Sequence, residues 1–121
     1  MSNKILVVDD DVTSLDLVDL ILEGQGYDVV RATNGMTAVS GAEESNPDLI
    51  LIDLMMPHMS GQEAIRQIRS KGIEVPIVAF TALDDPRVHQ EAKDAGCDLV
   101  VTKPCKSKDL VREIQDLLSN S

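Results

Sequence analysis

The chain has 121 residues, carries a formal net charge of −10 and is 43% apolar. That length suits one domain, 1–121, with one continuous core, and the apolar share excludes global disorder. The acidity disfavours direct nucleic-acid binding, which needs a basic face. Tyr27 and Phe80 are the sole aromatic residues and offer no stacking platform for bases or sugars.

Met1-Ser2-Asn3-Lys4 leads straight into the first apolar run, Ile5 to Val8, without a secretory n-region and cleavage site. Asp9, Asp10 and Asp11 follow. Leu15, Val18, Ile21 and Leu22 then share one face of a first helix, which Gly24 and Gly26 help to end. Val29-Val30 is a second, shorter run, and Asn34-Gly35 opens a second, weaker helix that Asn46-Pro47 closes. Leu49 to Ile52 is a third run, followed by Asp53. Ser60-Gly61-Gln62-Glu63 fits a capping box, in which serine and glutamate satisfy orphan amides reciprocally. It predicts a third helix with Ile65 and Ile68 facing inward. Ile77 to Phe80 is the fourth run, followed by Thr81. Asp85-Pro86 reads as a helix cap with proline at the first helical position, and Gly96 ends that fourth helix. Leu99 to Val101 is the fifth run, followed by Lys103-Pro104. Ser107 is the expected cap of a fifth helix that buries Leu110, Val111, Ile114, Leu117 and Leu118. Ser119-Asn120-Ser121 reads as a frayed end. No apolar stretch reaches the roughly 18–20 residues needed to span a membrane.

Short β-branched runs bounded by turn residues are the pattern of strands buried on both faces. Alternated with helices, they predict five βα units with right-handed crossovers and a parallel sheet. Five units are too few for an eight-fold barrel. The expected fold is therefore α/β, a doubly wound three-layer (βα)5 architecture.

Ligands of open α/β sheets bind beyond the carboxyl ends of the strands. Four of the five expected strand ends carry a charged or reactive group: Asp9 and Asp10, Asp53, Thr81, and Lys103. Clustered carboxylates raise one another's pKa unless a cation intervenes. A hard divalent cation with oxygen ligands removes that conflict. Lys103 adds a compact fixed positive charge, and Thr81 adds a hydroxyl donor. Such a set suits a phosphoryl group, whose transfer needs positioning and charge neutralisation more than covalent machinery. A carboxylate can itself be the nucleophile.

Bland readings stand beside these. Asp11 is better read as a turn former or helix cap than as a ligand. Thr81 alone is an ordinary loop residue, and Lys103-Pro104 alone an exposed turn. The coincidence of four strand ends carries the inference. His58 and His89 lack partners at ligand spacing and read as surface residues. Met55, Met56 and Met59 read as packing and loop residues. Cys97 and Cys105 are too few for a zinc site and are spaced unlike a redox pair, so both are expected as reduced thiols.

Val7-Val8-Asp9-Asp10, Asp53-Leu54-Met55-Met56-Pro57 with Gly61, Phe80-Thr81-Ala82 and Val101-Thr102-Lys103-Pro104 together resemble the receiver domain of two-component response regulators. The resemblance covers the whole chain. It implies a flavodoxin-like sheet of order 2-1-3-4-5. It implies Asp53 as phospho-acceptor, supplied by a sensor histidine kinase or a histidine phosphotransfer protein. It also implies Mg2+ (or Mn2+) held by Asp10 directly, by Asp9 mainly through water, by Asp53 and by the Met55 backbone carbonyl. Lys103 would pair with phosphoryl oxygens. Thr81 would move toward them and draw its loop along, and Pro57 and Gly61 would shape the loop after Asp53. The implied role is regulatory rather than enzymatic and cytoplasmic, with an unidentified downstream protein as partner and phosphorylation-dependent homodimerisation as a further expectation. A stand-alone receiver is expected, with a fragment of a longer regulator as the other reading.

Two features depart from the pattern or tune it. The fifth run has Val100 where an aromatic residue is common in the family, so the fourth-helix face has to respond by backbone or helix shifts. Met55 and Leu83, two residues beyond Asp53 and Thr81, are apolar and predict slow loss of the phosphoryl group to water. A rival reading takes Asp9-Asp10-Asp11-Val12-Thr13 as the D-x-D-x-T motif of haloacid-dehalogenase-like phosphatases, with Asp9 as nucleophile and Asp11 as general acid/base. It leaves Asp53 unexplained. A phosphorylation-independent interaction module is the third reading.

Overall fold

The structure is a computed structural model that describes residues 3–119. Met1, Ser2, Asn120 and Ser121 lie outside the described residues, including most of the expected frayed end; Ser119 is the last residue of a helix. Five strands alternate with five helices: β1 (Lys4–Val8), α1 (Val12–Gly24), β2 (Asp28–Ala32), α2 (Gly35–Ser45), β3 (Leu49–Ile52), α3 (Gly61–Ser70), β4 (Ile77–Thr81), α4 (Pro86–Ala95), β5 (Leu99–Thr102) and α5 (Ser107–Ser119). All pairings are parallel, in the order β2-β1-β3-β4-β5. This is the doubly wound arrangement expected from the alternation.

The sequence pattern explains which strands are central. β3 is Leu-Ile-Leu-Ile and is buried throughout, because both of its faces meet helices. Alternate residues divide between two cores. Leu6, Val8, Ile50, Ile52, Ile77 and Ala79 face the layer with Ala38, Ile65, Ile68 and Ala92 of α2, α3 and α4. Ile5, Val7, Leu49, Leu51 and Val78 face the layer with Leu15, Leu22, Leu110 and Ile114 of α1 and α5. Each fully buried Leu or Ile contributes about 1.5–3 kcal/mol. β5 lies at an edge, so its residues are only half-buried.

Helix ends follow local chemistry, with two departures. Asp11, Asn34, Ser60 and Asp85 cap α1 to α4 by accepting backbone N–H bonds. The reciprocal capping box, however, joins Asn34 and Thr37. At Ser60 one half forms, from Glu63 N–H to Ser60 Oγ (3.2 Å), while the Glu63 carboxylate meets Arg66. The Arg66 cation three residues along the same helix competes for the carboxylate, whereas Thr37 has no such partner. Ser107 is the first residue of α5 rather than its cap: the Lys106 carbonyl accepts from the Leu110 N–H, so the first turn begins one residue earlier than the serine suggests. Asn46 closes α2 in the left-handed conformation, and Gly96 follows α4 at φ 123°.

Candidate functional site

The carboxyl edge of the sheet gathers the charged strand ends. Asp9 follows β1 and donates its N–H to the Ala32 carbonyl of β2 (3.1 Å). Asp53 follows β3 and donates its N–H to the Val8 carbonyl (2.9 Å). These ladder bonds place two carboxylates on adjacent strands. Asp9, Asp10 and Asp53 each offer an oxygen within 4.8 Å of the others. Asp9 is buried, Asp53 half-buried and Asp10 exposed.

Lys103 reaches this cluster from the end of β5. Its Nζ donates to Asp9 Oδ2 (2.9 Å) and lies 3.6 Å from Asp53 Oδ2. The Lys103 N–H donates to the Thr81 carbonyl (2.7 Å), which anchors the lysine to the end of β4. Its ammonium also sits 5.0 Å above the Phe80 ring centre. That Phe80 contact has no signature in the sequence, because it arises where two strands happen to end side by side.

The remaining donors hold the site's shape. The second Asp9 oxygen accepts from the Asp11 N–H (2.9 Å). Asp53 Oδ1 accepts from the Met55 N–H (3.1 Å), which brings the Met55 backbone beside the carboxylate. The Met55 side chain points largely to solvent. Thr81, fully buried, ends β4, and its Oγ1 accepts from the Leu83 N–H (3.2 Å). Gly61 closes the loop by donating its N–H to the Leu54 carbonyl (3.0 Å). A Cβ there would collide with the Asp53 carbonyl oxygen and stand 2.7 Å from Leu54 Cα. Only glycine lets α3 start this close to the Asp53 segment. Burial pushes the Asp53 carboxyl above the ordinary carboxylate range, and the Asp9 and Asp10 charges act the same way; the Met55 N–H and Lys103 oppose them.

Three carboxylate oxygens in this space form a hard donor set of the kind that suits Mg2+, which takes a few carboxylates and fills its shell with water and phosphate oxygens. One lysine leaves the cluster with a net negative charge, so a further cation fits it.

Several expectations sort themselves against this geometry. Asp9, Asp10, Asp53 and Lys103 come together, and Thr81 flanks them on the neighbouring strand end. Asp11 does not join. Its carboxylate accepts from the Thr13 N–H (3.1 Å) and from Ser14 Oγ (3.1 Å), the cap role its position suggested. The carboxylate that the D-x-D-x-T reading needs as general acid/base, Asp11, is therefore engaged in helix capping. His58 is exposed, at a positive φ of 70°. His89 is not a free surface residue: it is half-buried, and its Nε2 lies 2.7 Å from the Leu83 carbonyl oxygen. A lone histidine on an otherwise charged helix gives no sequence signal of such a bond. Both cysteines are free, Cys97 buried and Cys105 half-buried. A separate cleft lies at the opposite edge of the sheet, between Glu43, Asn46 and Lys71 to Val75, and shares no residue with this cluster. Among the described residues, no helix is long and apolar enough to cross a membrane.

Comparison with known proteins bears on the same residues. The family model for the response regulator receiver domain matches residues 5–115. The alkaline phosphatase synthesis transcriptional regulatory protein PhoP of Bacillus subtilis is 36% identical over 121 residues, all of this chain and 50% of that protein. The chain thus spans about half the length of this curated relative. Among solved structures, the receiver domain of the Pseudomonas aeruginosa sensor histidine kinase PA1611, with magnesium coordinated in its active-site cleft, is 31% identical with a TM-score of 0.91 (98% of this chain, 99% of that one). A CheY-like receiver domain protein from Methanospirillum hungatei is 28% identical with a TM-score of 0.94 (99% and 96%). A sheet of order 2-1-3-4-5, a carboxylate trio facing one lysine at its carboxyl edge, and a match along nearly the whole chain agree with one another: this protein belongs to the receiver domain family of two-component response regulators.

Proposed function

We propose that the chain accepts a phosphoryl group on Asp53. The observation that carries the reading is the trio Asp9, Asp10 and Asp53 gathered around the Lys103 ammonium. A divalent cation, Mg2+ or Mn2+, would be held by Asp9, Asp10, Asp53 and the Met55 backbone carbonyl, and when bound it supplies neutralisation of phosphoryl charge. The magnesium in the cleft of the PA1611 receiver supports this.

The donor is a phosphohistidine of a sensor histidine kinase or a histidine phosphotransfer protein. An Asp53 oxygen attacks phosphorus, the P–N bond breaks with its electron pair on the imidazole, which takes a proton from water, and an acyl phosphate remains on Asp53. Lys103, now shared between Asp9 and Asp53, pairs with a phosphoryl oxygen. The Thr81 oxygen accepts from Leu83, so its hydroxyl proton is available to donate to another phosphoryl oxygen. Met55 and Leu83, two residues beyond Asp53 and Thr81, offer no polar side chain to orient an attacking water beside the acyl phosphate.

The donor protein has to approach Asp53 along the rim of the site. That rim carries exposed Leu17 on α1 and a groove lined by Ser14, Leu17, Phe80, Pro104 and Cys105 beside Lys103. Apolar residues at such a position suit a protein partner. The domain is read as cytoplasmic and regulatory, passing its state to a downstream protein. The test is intact mass after exposure to acetyl phosphate with and without Mg2+. The expected result is gain of one phosphoryl group with Mg2+ and none in Asp53→Asn; an unchanged wild-type mass overturns the reading.

A further inference from the structure

Both backbone polar groups of Leu83 are tied to side chains of functional interest. Its N–H donates to Thr81 Oγ1 (3.2 Å), at the site. Its carbonyl lies 2.7 Å from Nε2 of His89, on the first turns of α4. Since a carbonyl can only accept, Nε2 carries the proton and donates. His89 is also fixed by its own backbone, whose N–H donates to the Asp85 carbonyl (3.0 Å), while the Asp85 side chain caps the helix at Arg87 N–H (2.9 Å). The peptide from Leu83 to Asp85 is thus clamped to α4 at two points and to the site at one.

We propose that His89 is a positioning residue that couples Thr81 to helix α4 through Leu83. The proposal rests on the reading that Thr81 donates to a phosphoryl oxygen on Asp53. A hydroxyl that turns to do so displaces its oxygen, and the bound Leu83 N–H either follows or is released. In either case the Leu83 peptide shifts, and the His89 bond passes that shift to the first turns of α4. Without it, the link from Leu83 to α4 runs only through a two-residue exposed or half-exposed segment, Asp84-Asp85. β5 offers no alternative lever: its residues are Leu99, Val100, Val101 and Thr102, none of which has a long ring to swing between two positions.

The test is the backbone amide spectrum of the full chain with and without beryllofluoride and Mg2+, for wild type, His89→Leu and His89→Gln. In wild type, amides of Asp53, Met55 and Thr81 shift, as do those from Arg87 to Glu91. In His89→Leu the site amides respond as in wild type, while the α4 shifts fall about twofold or more. His89→Gln, which keeps an N–H donor, recovers them. Full α4 shifts in His89→Leu overturn the proposal. If the wild-type site amides stay still, the phosphoryl reading itself fails and the coupling falls with it. Should His89→Leu not fold, the wild-type ring decides: an Nε2-protonated imidazole is expected, and a neutral ring protonated only at Nδ1 overturns the bond.

Discussion

Asp53→Asn removes one charge from a crowded cluster and keeps the shape of the side chain. At the 4.8 Å that bounds the spacing of the three carboxylates, each like-charged pair repels by about 3.5 kcal/mol at an effective dielectric of about 20. Asp53 takes part in two such pairs. Its attraction to Lys103 at 3.6 Å returns about 4.5 kcal/mol on the same scale. The Asp53 charge is then unfavourable by about 2 kcal/mol, and screening around exposed Asp10 reduces this to about 1 kcal/mol. Burial acts in the same direction. Asp53→Asn is therefore expected to be more stable than wild type in EDTA at pH 7, by about 4 °C in Tm for a domain of this size. The sign follows the raised carboxyl pKa. The wild-type penalty is full above the folded-state pKa and vanishes as pH falls through it toward the unfolded value, so the gap between the two proteins closes in acid. Saturating Mg2+ binds wild type better and stabilises it by RT ln(1 + [L]/Kd), which narrows or reverses the order. Thermal melts monitored by far-UV circular dichroism in EDTA and in Mg2+ measure this. A variant equal to or less stable than wild type in EDTA refutes the electrostatic account.

Gly61→Ala is expected to cost about 2 kcal/mol or more, because its Cβ meets backbone rather than a flexible side-chain tip; urea unfolding reads it, and an unchanged midpoint would show that the loop relaxes freely. Met55→Asn combined with Leu83→Glu should speed loss of the phosphoryl group, since polar groups beside the acyl phosphate can orient water; the decay of the phosphorylated mass measures the rate, and no acceleration removes these residues from the account. Cys97, buried and with its thiol pushed up by burial and by the Asp98 charge, should react with a thiol reagent at neutral pH far more slowly than Cys105. Peptide mapping of the labelled protein distinguishes the two, and equal labelling contradicts the burial.

Much of this protein was legible in one dimension. Runs such as Leu49 to Ile52 alternating with amphipathic segments demanded a parallel sheet between helix layers, because strands with no polar face have to be covered twice. Asp85-Pro86, Asn34 and Ser60 marked helix starts because a cap acts on amides two or three residues away. The ends of four strands carried the site because a parallel sheet delivers every strand end to one edge. What required the folded chain were relations between residues distant in sequence. Lys103 pairs with Asp9 more closely than with Asp53, and lies over Phe80, since only strand register sets those distances. Gly61 is needed against the Asp53 carbonyl, a close approach of two backbone segments that leaves no room for a Cβ and that no local propensity reveals. The His89–Leu83 bond joins a helix face to a loop six residues back, where sequence spacing alone reads a surface histidine. Short-range chemistry and periodicity act along the chain and can be read there. Coulombic pairing, close backbone approach and loop-to-helix bonds depend on where the fold places each group, and only the tertiary structure decides them.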